Sequence, residues 1–295
     1  MPGYSFFAPH PRLAAVVEAI WDHDVPDTEA APTVVMPVVS PTLCFHYRVP
    51  PAICFDYRPS PRPHDWRQPG RFRITGAQSR AVRLRPLGPV GGVMVRLRPE
   101  AAARVTGAAL HQFHDAAFSI DDVFRPAEVA LLDERLAEAA GPAARVAAVQ
   151  VFLLRHLRDA AQDSVSHHAA LLLRHDPSLS VRHLASRLDV SERHLSRSFS
   201  NEIGIPPKQF ARIARIGKVI AAARGLDTDW TDVAAASGFS DQAHMINEFN
   251  AMVGRPPDAF FRVTSLRDRT VPGVSRAESD FYNTFVRETS SVSPT

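Results

Sequence analysis

The feature that most constrains this sequence is an internal repeat in its last third. When residues 194–212 are set against residues 244–262, seven of the nineteen positions are identical. The identical pairs are His194/His244, Phe199/Phe249, Gly204/Gly254, Pro206/Pro256, Pro207/Pro257, Phe210/Phe260 and Arg212/Arg262. A repeat of this period indicates one supersecondary unit that the chain uses twice.

Each copy of the repeat has the pattern of two short helices joined by a tight turn. In the first copy, Ser180 and Ser191 are N-cap residues for two successive helices, and Ala185 is the small residue where these helices cross. In the second copy, Ala234 is the small residue and Gly238 ends the first helix. This arrangement is typical of the helix-turn-helix unit.

Three segments of this region carry a family resemblance. Val190–Phe199 (VSERHLSRSF), Gly204–Phe210 (GIPPKQF) and Gly238–Phe260 (GFSDQAHMINEFNAMVGRPPDAF) resemble the signature of the AraC/XylS family of bacterial transcription regulators. The resemblance covers residues 166–263 and implies two helix-turn-helix units that bind double-stranded DNA. The apolar spacing of Lys208 to Arg224 predicts the long helix that links such units.

A recognition helix presents polar side chains on its outer face, because arginine bonds guanine edges and amides bond adenine. The resemblance implies base contacts at Arg193, Ser196 and Arg197 in the first unit and at Gln242, Ala243, Ile246 and Asn247 in the second. The family usually has a basic residue where Asn247 stands, and often one where Asn250 stands, which predicts a weak phosphate grip for the second unit. The alternative, that these residues form solvated helix faces, stays open.

Charge is distributed unequally between the two copies. Arg174 to Lys218 contains nine basic and four acidic residues, a net charge of +5, whereas Val219 to Arg262 contains three basic and six acidic residues, a net charge of −3. Phosphate neutralisation supplies much of the affinity of a DNA-binding protein. We therefore expect the first unit to anchor and specify, and the second to add weak or conditional contacts.

The N-terminal part differs from the repeat in pattern. Short apolar segments separated by turn residues, such as AVRLRPL and VMVRLRP, predict half-buried strands. A first helix is predicted over Arg12 to Trp21, where Leu13, Val16, Val17 and Ile20 fall on one helical face. The predicted fold class is α+β, with a β-rich cupin-like barrel or sandwich followed by an all-α double helix-turn-helix domain.

Four regions follow from these patterns. Residues 1–125 form the β-rich, effector-sensing domain, and residues 126–165 form two helices that link the domains and can serve for dimerisation. Residues 166–263 form the DNA-binding domain. Residues 264–295, rich in Ser, Thr and Arg, are predicted to be a flexible tail.

Composition excludes several classes of protein. With 45% hydrophobic and 22% charged residues in 295, the chain has ordinary globular usage. The longest uncharged run, Ala30 to Tyr47, is broken by Pro32, Pro37 and Pro41 and cannot form a membrane-spanning helix. The N-terminal sequence lacks the pattern of a secretory signal. A cytoplasmic protein with no membrane partner is expected.

No catalytic, metal or cofactor site is predicted. Cys44, His46 and Cys54 lie close together in sequence, but zinc and iron sites need three or four ligands. Phosphate loops, nucleophile elbows and H-E-x-x-H are absent from the sequence. One alternative stays open, in which a DNA-binding module is fused to an alkyl-transfer-like enzyme that uses Cys44 or Cys54 as its nucleophile.

A small-molecule effector is expected in the N-terminal domain, because barrel mouths are common ligand sites. The aromatic residues available to line such a site are Trp21, Phe45, Tyr47, Phe55, Tyr57, Trp66 and Phe72, of which Phe45, Tyr47, Phe55 and Tyr57 are the predicted pocket. An ordinary core role for these residues, and a domain that binds only protein, are the alternatives. RNA polymerase is a further expected partner, and the protein is expected to be a monomer or a homodimer.

Overall fold

The structure of the chain is a computed structural model that describes residues 4–26, 33–55, 65–107, 110–159, 164–223, 228–263 and 285–287. In these residues a β-rich N-terminal part is followed by a helical C-terminal part. The predicted α+β class is confirmed.

Ten strands of the described chain pair antiparallel in two sheets. They are β1 (Tyr4–Phe7), β2 (Val17–Val25), β3 (Thr33–Val35), β4 (Thr42–His46), β5 (Ala52–Cys54), β6 (Phe72–Thr75), β7 (Val82–Arg85), β8 (Val90–Leu97), β9 (Ala117–Ser119) and β10 (Phe285–Arg287). One sheet has the order β1-β2-β8-β4-β6-β9, and the other has the order β10-β3-β7-β5.

The six-stranded sheet has two buried faces of different composition. Side chains alternate along each strand, so residues two positions apart share a face. Leu43 and Phe45 of β4, with Val93 and Val95 of β8, point toward the helices and are at most 1% exposed. Cys44 of β4 points the other way, toward the four-stranded sheet.

The prediction of a first helix over Arg12 to Trp21 is wrong. Pro11–Leu13 forms a single 3-10 turn, and the chain then enters β2, which pairs with both β1 and β8. Because β2 is central in its sheet and buried on both faces, its apolar residues do not show the strict alternation of a half-buried strand. Pairing on both sides outweighs the local helical spacing.

Ten α-helices complete the described chain. They are α1 (Ala103–Thr106), α2 (Pro126–Glu138), α3 (Pro142–His156), α4 (Val165–His175), α5 (Val181–Arg187), α6 (Glu192–Ile203), α7 (Pro207–Ala222), α8 (Trp230–Ala236), α9 (Gln242–Val253) and α10 (Pro257–Val263). Helices α2 and α3 pack together, and α3 lies against β2 and β8. No helix in the described ranges is long and apolar enough to cross a membrane.

The turns of the two helix-turn-helix units have the same backbone hydrogen bond. In the first unit the amide of Val190 donates to the carbonyl of Ala185 at 3.0 Å, and in the second the amide of Phe239 donates to the carbonyl of Ala234 at 3.0 Å. Each turn contains a residue with positive φ, Asp189 (54°) in the first unit and Gly238 (80°) in the second. The repeat in sequence is therefore a repeat in structure.

Helix α7 links the units, as its apolar spacing predicts. Phe210, Ile213, Ile216 and Ile220 are each at most 2% exposed and pack into the common core of both units. Gly217 lies four residues after Ile213 in the same helix and is exposed.

The β-rich part and the helix-turn-helix part are packed together. Val34, Met36, Ala77 and Ala81 belong to the same buried cluster as the core of the two helix-turn-helix units. The amide of Ala81 donates to the carbonyl of Met252 in α9 at 2.8 Å. These residues of the β-rich part therefore pack into the core of the helix-turn-helix part, whereas most of the β-rich part has a separate core.

A charged contact reinforces this packing. The guanidinium of Arg174 in α4 bonds Glu18 of β2 at 2.8 Å and Glu100, which precedes α1, at 2.9 Å. The carboxylate of Glu18 also accepts a hydrogen bond from the hydroxyl of Ser40 at 2.6 Å. One basic residue of the first unit is thus committed to the contact between the two parts.

The predicted tail contains one short strand. Within 264–295 the structure describes residues 285–287, and they form β10, whose backbone pairs with β3 from Phe285↔Val35 to Arg287↔Thr33. The edge of the four-stranded sheet offers unpaired amides and carbonyls, which a short segment of chain can satisfy. The rest of the tail lies outside the described residues.

Candidate nucleic-acid interface and inter-sheet cavity

The outer face of α6 presents the residues that the sequence predicts to touch DNA in the first unit. Arg193 and Arg197 are exposed and Ser196 is partly exposed, whereas Leu195 and Phe199 are fully buried. Their spacing of three and four residues places Arg193, Ser196 and Arg197 side by side on the helix. Within the described chain neither arginine is held in an ion pair, so both guanidinium groups are available.

Helix α9 has the same burial pattern but a different outer face. Gln242 and Asn247 are exposed, and Ile246 between them is partly buried. The side-chain oxygen of Gln242 accepts a hydrogen bond from the Thr231 hydroxyl at 3.2 Å, which leaves its amide nitrogen to donate elsewhere. The predicted contact positions of the second unit thus offer two amides and no charge.

Ion pairs between α7 and α9 neutralise some of the charges counted for the two units. Glu248 of α9 accepts from Arg212 at 2.9 Å and lies 3.5 Å from Arg215, so these charges largely cancel inside the domain. The first-unit basic residues that are exposed and outside such pairs are Arg182, Arg187, Arg193, Arg197 and Lys208. The unequal distribution of positive charge between the units therefore persists at the surface.

A cavity of about 140 Å³ lies between the two sheets. Strands β2, β4, β6 and β8 supply one wall, and β3, β5 and β7 supply the other. This is the space inside the β-rich domain in which the sequence predicts an effector.

The wall formed by the six-stranded sheet carries all of the described basic side chains that line the cavity, beside Trp21 and Met94, and is called the basic wall below. His23, His46, Arg73 and Arg96 line it, and each is at most 7% exposed. His23 and His46 pair with Gly92 from opposite sides, and their ring centroids are 5.8 Å apart. Burial lowers the pKa of His23 to about 4, and burial, with the charge of Arg73, lowers the pKa of His46 well below its usual value. At neutral pH the histidines are uncharged and the arginines are charged.

The opposite wall is apolar. Val35 of β3, Ile53 of β5, and Val82 and Leu84 of β7 face the cavity. Among the described residues that line the space, none is Asp or Glu. The cavity therefore has one basic wall and one apolar wall.

Of the four residues predicted for the effector pocket, Phe55 lines the cavity. Phe45 lies on the helix-facing side of the sheet, where its ring centroid is 5.5 Å from that of Phe72. The Tyr47 ring packs against the same core and its hydroxyl donates to Asp22 at 3.2 Å. Tyr57 lies outside the described residues.

Phe45 and Tyr47 do not line this cavity because of the strand pleat. Cys44 and His46 take the cavity face of β4, so Phe45 must take the other face, and Tyr47 follows it. Aromatic character alone did not identify the lining.

The basic lining residues were missed by the sequence reasoning. Arg73 stands between buried Phe72 and Ile74 in the segment RFRIT, and Arg96 stands between buried Val95 and Leu97. An arginine between two core residues of a strand points to the opposite face of the sheet. That alternation was the available signal.

Both thiols are buried. Cys44 lines the cavity and Cys54 is fully buried. Burial raises the pKa of the Cys44 thiol, which disfavours the reactive thiolate. In the described ranges His, Cys, Asp and Glu residues form no group of three that could hold a metal ion.

The two buried histidines predict that acid destabilises the fold. Unfolded His23 binds a proton near its ordinary pKa of 6.5, whereas folded His23 does so only near pH 4, so the unfolded state binds more protons in this interval. The free energy of unfolding therefore has its full value above pH 6.5 and decreases as the pH falls. His23 alone accounts for a loss of about 3 kcal/mol at pH 4. His46 shifts in the same direction.

Urea unfolding measures this loss of stability at about pH 7.5 and about pH 5 in the parent and in the variant His23→Gln. The comparison uses the difference between the two pH values, so a general loss of stability in the variant does not affect it. We expect a smaller pH-dependent loss in the variant, and an equal loss would contradict the assignment.

Two family models match the chain. A model described as a helix-turn-helix domain matches residues 184–262, which run from α5 into α10. A model described as a domain of unknown function, DUF6597, matches residues 5–119, which are the β-rich part. No protein of curated function matches the chain.

Solved structures of ToxT from Vibrio cholerae are similar to the chain at low sequence identity. An apo variant from strain SCE256 has a TM-score of 0.45 at 9% identity, with 83% of this chain and 96% of that chain covered. ToxT from strain O395 bound to (E)-4-(8-methylnaphthalen-1-yl)but-3-enoic acid has a TM-score of 0.45 at 8% identity, with 88% and 98% covered. Wild-type ToxT with a bound unsaturated fatty acid has a TM-score of 0.42 at 8% identity, with 83% and 94% covered.

Proposed function

We propose that this protein, an AraC-type helix-turn-helix regulator, binds specific DNA sequences under the control of a small molecule held between its two sheets. The helix-turn-helix domain makes it a DNA-binding regulator of that type. Sequence specificity and effector control are the parts that we add.

Base reading is assigned to the exposed faces of α6 and α9. Arg193, Ser196 and Arg197 supply charged donors and a hydroxyl, and Gln242 and Asn247 supply amides. Arginine suits guanine and amides suit adenine in the major groove. The first unit carries the free positive charge, so it supplies most of the phosphate attraction.

The observation that carries effector control is a segment placed between the cavity and the DNA-binding core. Along residues 33–39, Val35 and Val38 line the cavity, whereas Val34 and Met36 pack into the cluster that contains α5–α9. A molecule that moves one set of side chains therefore displaces the other, because packed cores transmit strain.

A second segment has the same double role. Gln78 lines the cavity and bridges to Val38 through two backbone hydrogen bonds of 2.8 and 3.0 Å. Its neighbours Ala77 and Ala81 lie in the DNA-binding core, and Ala81 bonds the backbone of α9. An effector with different affinities for two interdomain arrangements would shift the population between them.

Selection from a random DNA pool with the full chain tests the function. We expect a single enriched motif, and the double variant Arg193→Ala/Arg197→Ala should not enrich it. A double variant at exposed first-unit cations off the reading face, Arg182→Ala/Arg187→Ala, is the matched control and should weaken binding without changing the motif. The absence of any enriched motif would contradict sequence-specific binding.

A homodimer through α2 and α3 also belongs to this proposal. Leu131 of α2 is 40% exposed and Val151 of α3 is 41% exposed, although both helices already pack into the core of the β-rich part with their other faces. Helices with apolar residues on both sides support contact with a second copy. RNA polymerase contact is a further proposal, for a surface of the DNA-bound protein.

A further inference from the structure

We propose that the inter-sheet cavity is an anion site, and that its ligand is a small organic monocarboxylate with an apolar body about the size of one aromatic ring. The carboxylate would lie against Arg73 and His46 on the basic wall, and the apolar body would lie against the four-stranded sheet. This deepens the proposed function, and its effect on DNA binding depends on that function.

The first argument is a buried cation without a carboxylate to balance it. Arg73 is 4% exposed, and its Nε and Nη1 atoms are buried with no hydrogen-bond partner in the described chain. Arginine cannot discard its charge, and a buried charge is costly unless it is paired. Since no described lining residue is acidic, a bound anion is the partner that the site lacks.

The neighbouring groups suit the same ligand. Arg73 pairs with Cys44 across β6 and β4, and His46 lies two residues further along β4 on the same face. Neither ring nitrogen of His46 bonds another side chain of the described residues. Arg96, whose guanidinium carbon lies 5.7 Å from the Trp21 ring centroid, also lines this wall. The planar guanidinium fork matches a carboxylate through two parallel hydrogen bonds.

Gly92 provides the space beside these groups. A side-chain carbon at Gly92 would come within 3.0 Å of His46 Nδ1, of the Met94 methyl group and of the Phe45 carbonyl oxygen. Because Gly92 of the central strand β8 has no side chain, the gap between His23 and His46 stays open. This gap belongs to the basic wall.

The volume of the cavity and the apolar wall limit the size and polarity of the ligand body. The cavity of about 140 Å³ is close to the size of an engineered protein cavity that accepts benzene. Val35, Ile53, Val82 and Leu84 offer only hydrocarbon to the ligand body. A sugar would leave its hydroxyls unpaired against this wall, and a bare inorganic anion would leave the apolar wall unfilled.

Calorimetric titration of the full chain with benzoate tests the proposal. Benzamide, which has the same shape without the charge, and hexadecanoate, which has the charge on a body too long for the cavity, are the comparison ligands. We expect benzoate to bind, and both comparison ligands to bind at least about tenfold more weakly, since hydrogen bonds to charged groups are the strong ones. No benzoate binding, or equal binding of either comparison ligand, would overturn the proposal without any variant.

The variant Arg73→Met tests the named cation. We expect it to weaken benzoate binding at least about tenfold, while the melting temperature of its ligand-free form stays equal or rises, because an unpaired buried charge has been removed. Arg83→Met is the matched control: Arg83 is 5% exposed on β7 but does not line the cavity. It should bind benzoate as the parent does. Unchanged binding by Arg73→Met would overturn the assignment.

Operator affinity, measured on the same samples, separates this proposal from the proposed function. Benzoate binding that leaves operator affinity unchanged supports the anion site and contradicts effector control through it. If the chain binds its operator but does not bind benzoate, the proposed function is supported and the anion site is contradicted.

Discussion

Replacement of Arg145 by alanine is expected to destabilise the protein by about 3 to 5 kcal/mol. Arg145 of α3 makes a bidentate contact with Asp22 of β2, at 2.8 Å from Nε to Oδ2 and 3.1 Å from Nη2 to Oδ1. The two side chains are only 11% and 2% exposed. Removal of the arginine leaves the Asp22 carboxylate buried with the Tyr47 hydroxyl as its remaining side-chain partner. The cost is that of an unpaired buried charge.

The chain contains a matched exposed pair for comparison. Arg71, which precedes β6, bonds Asp133 of α2 at 2.9 Å and also connects the sheet to a helix, but these side chains are 48% and 38% exposed. Arg71→Ala should cost at most about 1 kcal/mol, because solvent screens the pair. Urea unfolding of both variants measures the two losses. Similar losses would show that burial of the Arg145–Asp22 pair does not determine its contribution.

The double variant Arg145→Met/Asp22→Asn refines the test. Removal of both charges avoids the unpaired carboxylate, so the double variant is expected to be more stable than Arg145→Ala. A double variant as unstable as Arg145→Ala would assign the loss to packing of the Arg145 side chain on the Tyr47 ring, whose centroid lies 4.1 Å from the guanidinium carbon.

The helix-turn-helix region was predictable because its signals are local and agree with one another. Ser180, Ser191 and Asp241 cap the helices that they precede, with each side-chain oxygen accepting from the backbone amide three residues on. Helical periodicity and proline positions indicate the same boundaries. When every local preference favours one structure, tertiary packing has little to change.

The β-rich region was less predictable because its signals are not local. Val17–Val25 becomes a strand because it pairs with β1 and β8. Of these two strands, β8 is distant in the sequence. Phe45 lies on the helix-facing side of the sheet and Arg73 lies on the cavity side, and only the pleat and the register decide which face each side chain takes. The basic residues of the cavity come from four strands, β2, β4, β6 and β8, so their placement depends on all of these registers at once.

The unequal charge of the two units leads to the second prediction of large effect. Arg197 lies exposed on α6, and Asn247 lies at the corresponding position of α9, where the burial pattern is the same. Arg197 can make a bidentate contact with guanine and also attracts phosphate, whereas Asn247 carries no charge. Exposure of both side chains means that neither substitution should disturb the fold.

Arg197→Ala is therefore expected to cost about 1 to 3 kcal/mol of operator affinity and to relax specificity at one base position. Asn247→Ala should cost much less. Asn247→Arg should strengthen binding and increase the slope of log affinity against log salt by about one, because it adds one phosphate contact. Titration of the three variants against the selected operator at two salt concentrations measures these differences. A loss for Asn247→Ala equal to that for Arg197→Ala would mean that the second unit reads DNA as strongly as the first, and that surface charge does not determine which copy anchors the protein.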